Sequence, residues 1–541
     1  MIESKDEVLR GTFKFTVWLR DNVPILSKAE AKEMVLFKAN LSEDRSVTPE
    51  RVFKVFEEAW KAPRLAFPLT EFGNAERFIQ QHGGNVRFCH GRGTWFLWDR
   101  KRWAEDAHQQ VYQLAKDTIN SIKAEAERMK SDAGEQAKVK GFDIFDERKP
   151  VADPEMAEVM LDWWRACHKF ASAKNMVTAA VIEKKVGVNV NQLDADPWLL
   201  NVANGTLDLR SQELRPHDPD DLITKIAPVE YDSKARCPKW DQFLWDITGG
   251  DRDTILFLRR AVGYALTGVT REKALFFLLG PTDSGKTTFI ETIRELLGEY
   301  AKGTDFQTFL YAKYGKGIRN DIARLEGARF VSASEAGPEQ AFDQSLVKQI
   351  TGRDKVIARF LYKEFVEYTP QFKIFLAANF RPKITGDEAL WNRIHVVPFS
   401  KRIPKERQDK NLEVRLRKEL PGILVWAVAG CKHWLEDESL KPSDSVREAL
   451  EEYRAEADVV QGFLDKHCVV DEMAFASFGD LYEKWTEYAE KRKADPGSEK
   501  AFAMVLNEKA FKGELKNIGG NPTRIRLGLK LRTSTRPRLS L

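Results

Sequence analysis

Eight consecutive residues, Gly280-Pro281-Thr282-Asp283-Ser284-Gly285-Lys286-Thr287, match the pattern G-x-x-x-x-G-K-[ST], which binds nucleotide phosphates when it joins a strand to a helix. The glycines allow backbone N–H groups to face phosphate oxygens, and the first turn of the following helix adds partial positive charge. Lys286 in such a loop reaches the β- and γ-phosphates, and the Thr287 hydroxyl ligates Mg²⁺. Gly280 to Thr288 are therefore the candidate nucleotide-binding residues, and ATP and Mg²⁺ are the expected cofactors.

Later polar residues have the types and positions that a motor needs. Glu335 follows the apolar run Arg329–Ser334, where a carboxylate would face Mg²⁺ and orient the attacking water. The alternative is a surface glutamate opening a loop. Asn379 ends the run Lys373–Asn379, at the edge where open parallel sheets gather ligands, and its amide would bond the γ-phosphate or the water. A turn asparagine is the plainer reading. Arg393 stands between Trp391 and a strand-like run; in a ring motor its guanidinium would stabilise transition-state charge on ATP held by a neighbouring subunit, and an interface salt bridge is the alternative. From Lys355 to Tyr368 the sequence alternates on both sides of Lys363, as in a hairpin with basic groups (Lys355, Arg359, Lys363) that could grip a nucleic-acid backbone; a solvated β-ribbon is the other reading.

These residues need a scaffold. The apolar run Ala274–Leu279 ends in glycine and precedes a helical pattern over Thr288–Leu297, as a buried parallel strand does. With Arg329–Ser334 and Lys373–Asn379 it predicts one parallel-sheet domain over 237–400. Upstream, residues 1–60 read as charged helix and Trp95 to Trp103 as an aromatic strand-turn-strand. Val111, Leu114, Ala115, Thr118 and Ile122 stripe a helix, and residues 131–155 read as an exposed excursion. Leu199 to Leu209 predicts a hairpin turning at Asn204-Gly205, and Trp240 to Thr267 a helical segment. Beyond Pro404 the chain turns helical. Near its end Leu481, Trp485 and Tyr488 stripe one helix and Phe502, Val505 and Leu506 the next, before Asn517–Arg532 alternates around Gly519-Gly520 like a two-stranded wing.

Composition narrows the classes further. With 541 residues, 43% of them hydrophobic and 31% charged, the chain can build several cores, which excludes both a single small binding module and a mainly disordered protein. No apolar stretch approaches the ~20 residues that cross a bilayer, and the opening MIESKDEVLR has no apolar signal core, so the expected location is cytoplasmic, without a membrane partner. Five cysteines without a C-x-x-C pair and eight histidines without H-E-x-x-H argue against a disulfide framework and a protein-only metal site. The net charge of +4 conceals a basic end: from Phe511 to Leu541 eight lysines and arginines face one acid, Glu514. Within it, Arg524, Arg526, Lys530 and Arg532 are the candidate duplex-DNA contacts, with a solvated tail as the alternative.

Six ordered blocks, L-D-A-D-P-W-L-L-N-V-A-N-G-T-L-D-L, G-P-T-D-S-G-K-T-T, S-E-A-G, Q-I-T-G-R-D-K-V-I-A-R, L-A-A-N-F-R-P-K-I and W-N-R-I-H-V-V-P-F, together resemble the phage, plasmid and poxvirus primase-helicases, whose motor is of helicase superfamily 3. The resemblance implies a multidomain α/β protein. Its parts are an N-terminal helical region (1–64), an α+β collar-like domain (65–236), an AAA+ parallel-sheet P-loop core (237–400), a helical lid (401–455) and a winged-helix-like domain (456–541). It also implies a hexameric ring translocating on single-stranded DNA, three-prime to five-prime, at forks of a replicating mobile element, beside a separate primase or polymerase. By motif match Lys286 and Thr287 become the Walker A pair, Glu335 the Walker B acid and second Mg²⁺ ligand, Asn379 the sensor, Arg393 the finger and Lys363 a pore-hairpin residue. Two departures stand out. Ser334 occupies a position where many such motors have a second acid, and no zinc-binding primase module is present, so primer synthesis is not expected; the D-x-D of Asp194 and Asp196 reads as a turn. An origin-binding initiator that uses ATP as an assembly switch is the alternative function.

Overall fold

Alternation along single strands sets the architecture. In the strand Leu275–Leu279, Phe276 and Leu278 enter one core while Leu275 and Phe277 enter another, so the strand is buried on both faces. The computed structural model describes residues 5–22, 27–40, 48–61, 66–138, 154–312, 319–334, 341–359, 365–382, 384, 388–492, 494–519 and 521–532. Among them this strand belongs to a five-stranded parallel sheet. Its order is Ile394–Pro398, Leu275–Leu279, Lys373–Ala378, Phe330–Ser334, Ala301–Gly303. The chain leaves Leu275–Leu279 for the far edge, returns strand by strand to its one side, and finally crosses to its other side. The order thus reverses at the strand that precedes the loop Gly280–Gly285, and such a reversal is the place where open sheets bind ligands.

The chain divides into two units, Met1–Ala195 with His217–Lys225, and Asp196–Pro216 with Ile226–Leu541. In the second unit Pro238–Thr248, Arg252–Leu266 and Leu420–Asp437 supply helices to the core that holds Phe276 and Leu278, and Asp444–Ala457 supplies Ala449 and Tyr453 to the opposite one. The helices after residue 400 therefore complete the two cores of the sheet. Residues 196–216, expected with the N-terminal part, do so as well: Leu200, Val202, Leu207 and Leu209 are buried with Phe276.

Three local predictions are corrected. The helical segment 240–267 is two helices, because Gly249 and Gly250 take φ of 68° and 85° and Asp251 then caps the second helix through the N–H groups of Asp253 and Thr254. The hairpin of Leu199–Val202 and Gly205–Asp208 turns one residue early, on Ala203-Asn204, since Val202 pairs with Gly205. Gly205 is required by the third strand: a Cβ there would lie 2.4 Å from the carbonyl oxygen of Arg215. Asn204 instead clamps Tyr231 through both ends of its amide. Finally, residues 131–138 continue the helix Gln110–Lys138, and a new helix starts at Pro154, so the expected excursion is helical at both ends.

The first unit has helices Lys5–Asn22, Lys28–Asn40 and Pro49–Lys61, then a sheet containing Thr94–Trp98 and Trp103–Glu105. Trp95 and Trp103 are buried, which makes the tryptophan hairpin a core element. Asp194 (φ 52°) turns the chain and accepts hydrogen bonds from Thr224 and Lys225.

The C-terminal part is a unit of helix Val459–His467, strand Cys468–Ser477, helices Phe478–Lys491 and Glu499–Glu508, and strands Gly513–Ile518 and Asn521–Leu531. Its core gathers Leu481, Trp485, Tyr488, Phe502 and Leu506, the predicted stripes, with Val505 only half-buried. The two-stranded wing is present. Cys468–Ser477, unforeseen in the sequence, pairs with its long strand and makes three.

Candidate nucleotide site and nucleic-acid surfaces

The loop Gly280–Gly285 leaves the carboxyl end of Leu275–Leu279 and enters the helix Lys286–Leu297, which is anchored by buried Phe289, Ile290, Ile293, Leu296 and Leu297. Gly285 has φ of 87°, and a Cβ would stand 2.6 Å from the Ile247 side chain, so only glycine fits. No side chain caps this helix, which leaves its first N–H groups for an anion.

Lys286 is buried. Its Nζ donates to the carbonyls of Gly280 and Pro281, both at 2.7 Å, and to Ser284 Oγ at 3.1 Å, so the ammonium lies across the base of its own loop. Burial pushes its pKa below the usual lysine value, and the nearby Asp283 carboxylate pushes it back up. Thr287 is exposed and Thr288 half-buried on the first turn. Pro281, Thr282 and Asp283 are exposed at the loop apex. Asp283 accepts a hydrogen bond from Arg402 at 3.0 Å and, through its carbonyl, one from the Ile403 N–H at 2.8 Å. Nothing in the motif pattern signalled Arg402, because it comes 119 residues later in the chain.

Sheet register places the other predicted residues. Ala378 pairs with Leu279, and Gly280 N–H donates to Ala378 O at 3.3 Å, so Asn379 and Gly280 leave adjacent strands side by side; Asn379 is exposed there. Ser334 pairs with Ala377, which brings the end of the third strand to the same edge. Glu335 itself lies outside the described residues. Arg393 is at the opposite end: Leu275 N–H donates to its carbonyl at 2.7 Å, and Leu275 to Leu279 separates it from the loop by roughly 16 Å at ~3.3 Å per strand residue. Its guanidinium donates to Ala389 O and cannot reach the loop Gly280–Gly285 of its own chain.

The hairpin Val356–Arg359 and Phe365–Tyr368 turns Val356 and Ala358 into the core and leaves Lys355, Ile357 and Arg359 on the other face. Lys355 pairs with Glu367 at 3.2 Å, and the Arg359 guanidinium lies 5.2 Å from the Phe365 ring. Lys363 lies outside the described residues. Phe365, 67% exposed, was not among the predicted contacts, though its alternation with Glu367 on the ribbon marks it. On the C-terminal wing Arg524, Lys530 and Arg532 are exposed. Arg526 is a correction. It is 6% exposed, donates to Asn507, Phe511 O and Ala503 O, and sits over the Phe478 ring, so its charge holds the unit together and does not face a ligand. Two bonds to carbonyls explain this placement at a strand position flanked by the buried Ile525.

Comparison with known proteins follows the same lines. Residues 75–249 match the family described as D5 N terminal like. A protein named "Putative helicase L207/L206" of Acanthamoeba polyphaga mimivirus is 26% identical over 326 residues, covering 55% of this chain and 34% of that protein. "Putative helicase 184R" of Invertebrate iridescent virus 6 is 23% identical over 436 residues, covering 72% of this chain and 42% of its own. The chain is thus similar, over these residues, to the D5 N terminal like family and to viral proteins named "Putative helicase". It spans about a third to two fifths of the length of these viral helicase relatives. The solved apo form of the NrS-1 C terminal region (305–718) aligns over 84% of this chain and 99% of that one, at 10% identity and a TM-score of 0.48. All five cysteines are buried and free, and among the described residues no helix is long and apolar enough to cross a membrane and no group of His, Cys, Asp and Glu is placed to hold a metal ion by itself.

Proposed function

We propose that this chain is the ATP-driven motor of a replicative DNA helicase from a virus, phage, plasmid or other mobile element: a superfamily 3, AAA+ type P-loop ATPase that forms a ring, a hexamer by the family resemblance, and moves along single-stranded DNA. The observation that carries the reading is the shared edge of the sheet, where a buried Lys286 spans an uncapped helix N-terminus and Asn379 emerges beside Gly280. A small-molecule kinase would need the same loop but gives no role to Asn379 or to an arginine at the far edge.

The residues present fit Mg²⁺-ATP. Backbone N–H groups of the loop and first helical turn would hold the phosphate oxygens. Lys286 would exchange its carbonyl partners for phosphate oxygens, which offsets the desolvation of its ammonium. The hydroxyl of the exposed Thr287 would take one Mg²⁺ position, with Glu335 the second candidate ligand; the ion would neutralise charge that develops on the phosphates. Asn379 would orient the attacking water from the adjacent strand end. Arg393 would complete the site of a neighbouring subunit, which makes hydrolysis depend on assembly. Lys355, Arg359 and the Lys363 hairpin would grip the strand, and the wing residues Arg524, Lys530 and Arg532 would contact duplex DNA. A separate primase or polymerase would act on the exposed strand.

The test is ATP hydrolysis by the purified chain with and without single-stranded DNA. Hydrolysis is expected to rise with DNA and to vanish in Lys286→Ala; a DNA-independent rate in assembled protein counts against the motor. The exposed basic wing favours one second reading, an initiator that uses ATP to assemble at an origin. Because Leu529 is in the C-terminal core, deletion past Phe511 would unfold the unit, so substitution of Arg524 and Lys530 is the discriminating change. An initiator would lose nearly all DNA binding, whereas a ring motor would continue to unwind a fork.

A further inference from the structure

The loop apex carries a charge of the wrong sign. Asp283, at φ 63°, presents a carboxylate within electrostatic reach of the Lys286 ammonium, in the part of the loop that phosphates approach. Left alone, that charge would repel a polyphosphate. Two groups from the segment that follows the strand Ile394–Pro398 hold it: Arg402 Nη2 donates to Asp283 Oδ2 at 3.0 Å, and the Ile403 N–H donates to the Asp283 carbonyl at 2.8 Å. In a planar trans peptide, C=O and the next N–H point to opposite sides. Drawing the Asp283 carbonyl toward Ile403 therefore turns the Ser284 N–H the other way, away from that segment.

We propose that Arg402 is a positioning residue for the nucleotide phosphates: it cancels the Asp283 carboxylate and, with the Ile403 N–H, holds the apex so that backbone donors face the anion. The inference rests on the reading of the loop as a nucleoside triphosphate site. Stability is not its main output. The Arg402 and Asp283 side chains are 63% and 38% exposed, and an ion pair so placed adds little to folding. Its effect belongs to anion affinity, where an uncompensated carboxylate acts directly on the ligand.

Charge-cycle variants of the full chain test this, with Mg²⁺-ATP titrated calorimetrically, KM and kcat measured for hydrolysis, and thermal unfolding followed in parallel. Arg402→Gln is expected to weaken Mg²⁺-ATP about tenfold, as one uncompensated charge at short range does, with the loss in KM and not kcat. Asp283→Asn/Arg402→Gln is expected to regain affinity within about twofold of the parent, and Arg402→Lys to keep most of it. Asp283→Asn alone, which does not depend on the stability of the arginine variant, is expected to bind at least as tightly as the parent. A wild-type affinity in Arg402→Gln, a double variant as weak as the single, or a loss of affinity in Asp283→Asn would each overturn the proposal. Failure of the parent chain to bind Mg²⁺-ATP at all would instead remove the nucleotide reading, and it is measured first.

Discussion

His395 shows how one side chain couples the sheet to pH. It is the second residue of the strand Ile394–Pro398, with its ring 5.5 Å from that of Phe257 and 5.6 Å from that of Phe276. This apolar setting disfavours the imidazolium and lowers the pKa to about 4, from about 6.5 in an unfolded chain. Above the unfolded value the ring is neutral in both states and costs nothing. As pH falls from there toward 4, the unfolded chain takes up a proton that the folded chain refuses, so stability drops, by about 2 kcal/mol at pH 5. Urea unfolding at pH 7 and pH 5 should show this loss in the parent and a smaller one in His395→Leu. Equal losses in the two proteins would mean that the ring is solvated. Lys286 behaves in the same physical way but with a different consequence: burial lowers its pKa, and the charge of an incoming phosphate would offset that cost.

At the scale of elements, positions fixed by period were legible in the sequence and positions fixed by partners were not. The strand before the P-loop could be read because a short apolar run ending in glycine has few other uses, and the stripe Leu481, Trp485, Tyr488 because helical spacing leaves one buried face. The turn of the 199–208 hairpin was misplaced because Gly205 answers to a third strand, which local sequence does not show. Arg526 was misassigned for a related reason. Its neighbours Arg524, Lys530 and Arg532 share its charge, and only the packing of Phe478, Asn507 and Phe511 around it separates a structural guanidinium from exposed ones. The distinction predicts opposite responses. Arg526→Ala should lower the stability of the C-terminal unit by about 2 to 3 kcal/mol, since it leaves buried carbonyls unpaired. Arg524→Ala and Lys530→Ala should leave unfolding unchanged and each reduce the salt dependence of DNA binding by about one phosphate contact. A destabilised Arg524→Ala, or an Arg526→Ala that changes only the salt slope, would reverse the assignment.

At the scale of the whole molecule, the parallel sheet separates two groups that the proposed phosphoryl-transfer site would use. The loop Gly280–Gly285 and Asn379 share its carboxyl edge, whereas Arg393 lies at its amino edge, a strand length away. On the proposed reading one chain would hold half of two sites, and a ring of chains would hold complete ones between neighbours. This geometry makes the account depend on assembly in a way that a monomeric enzyme does not. The most direct measurement is DNA-stimulated ATP hydrolysis in mixtures of Lys286→Ala and Arg393→Ala chains. Each variant alone should be inactive, and a mixture should regain activity where an intact P-loop meets an intact arginine across an interface. Full activity of Arg393→Ala by itself, or mixtures that stay as inactive as their components while still co-assembling, would contradict it.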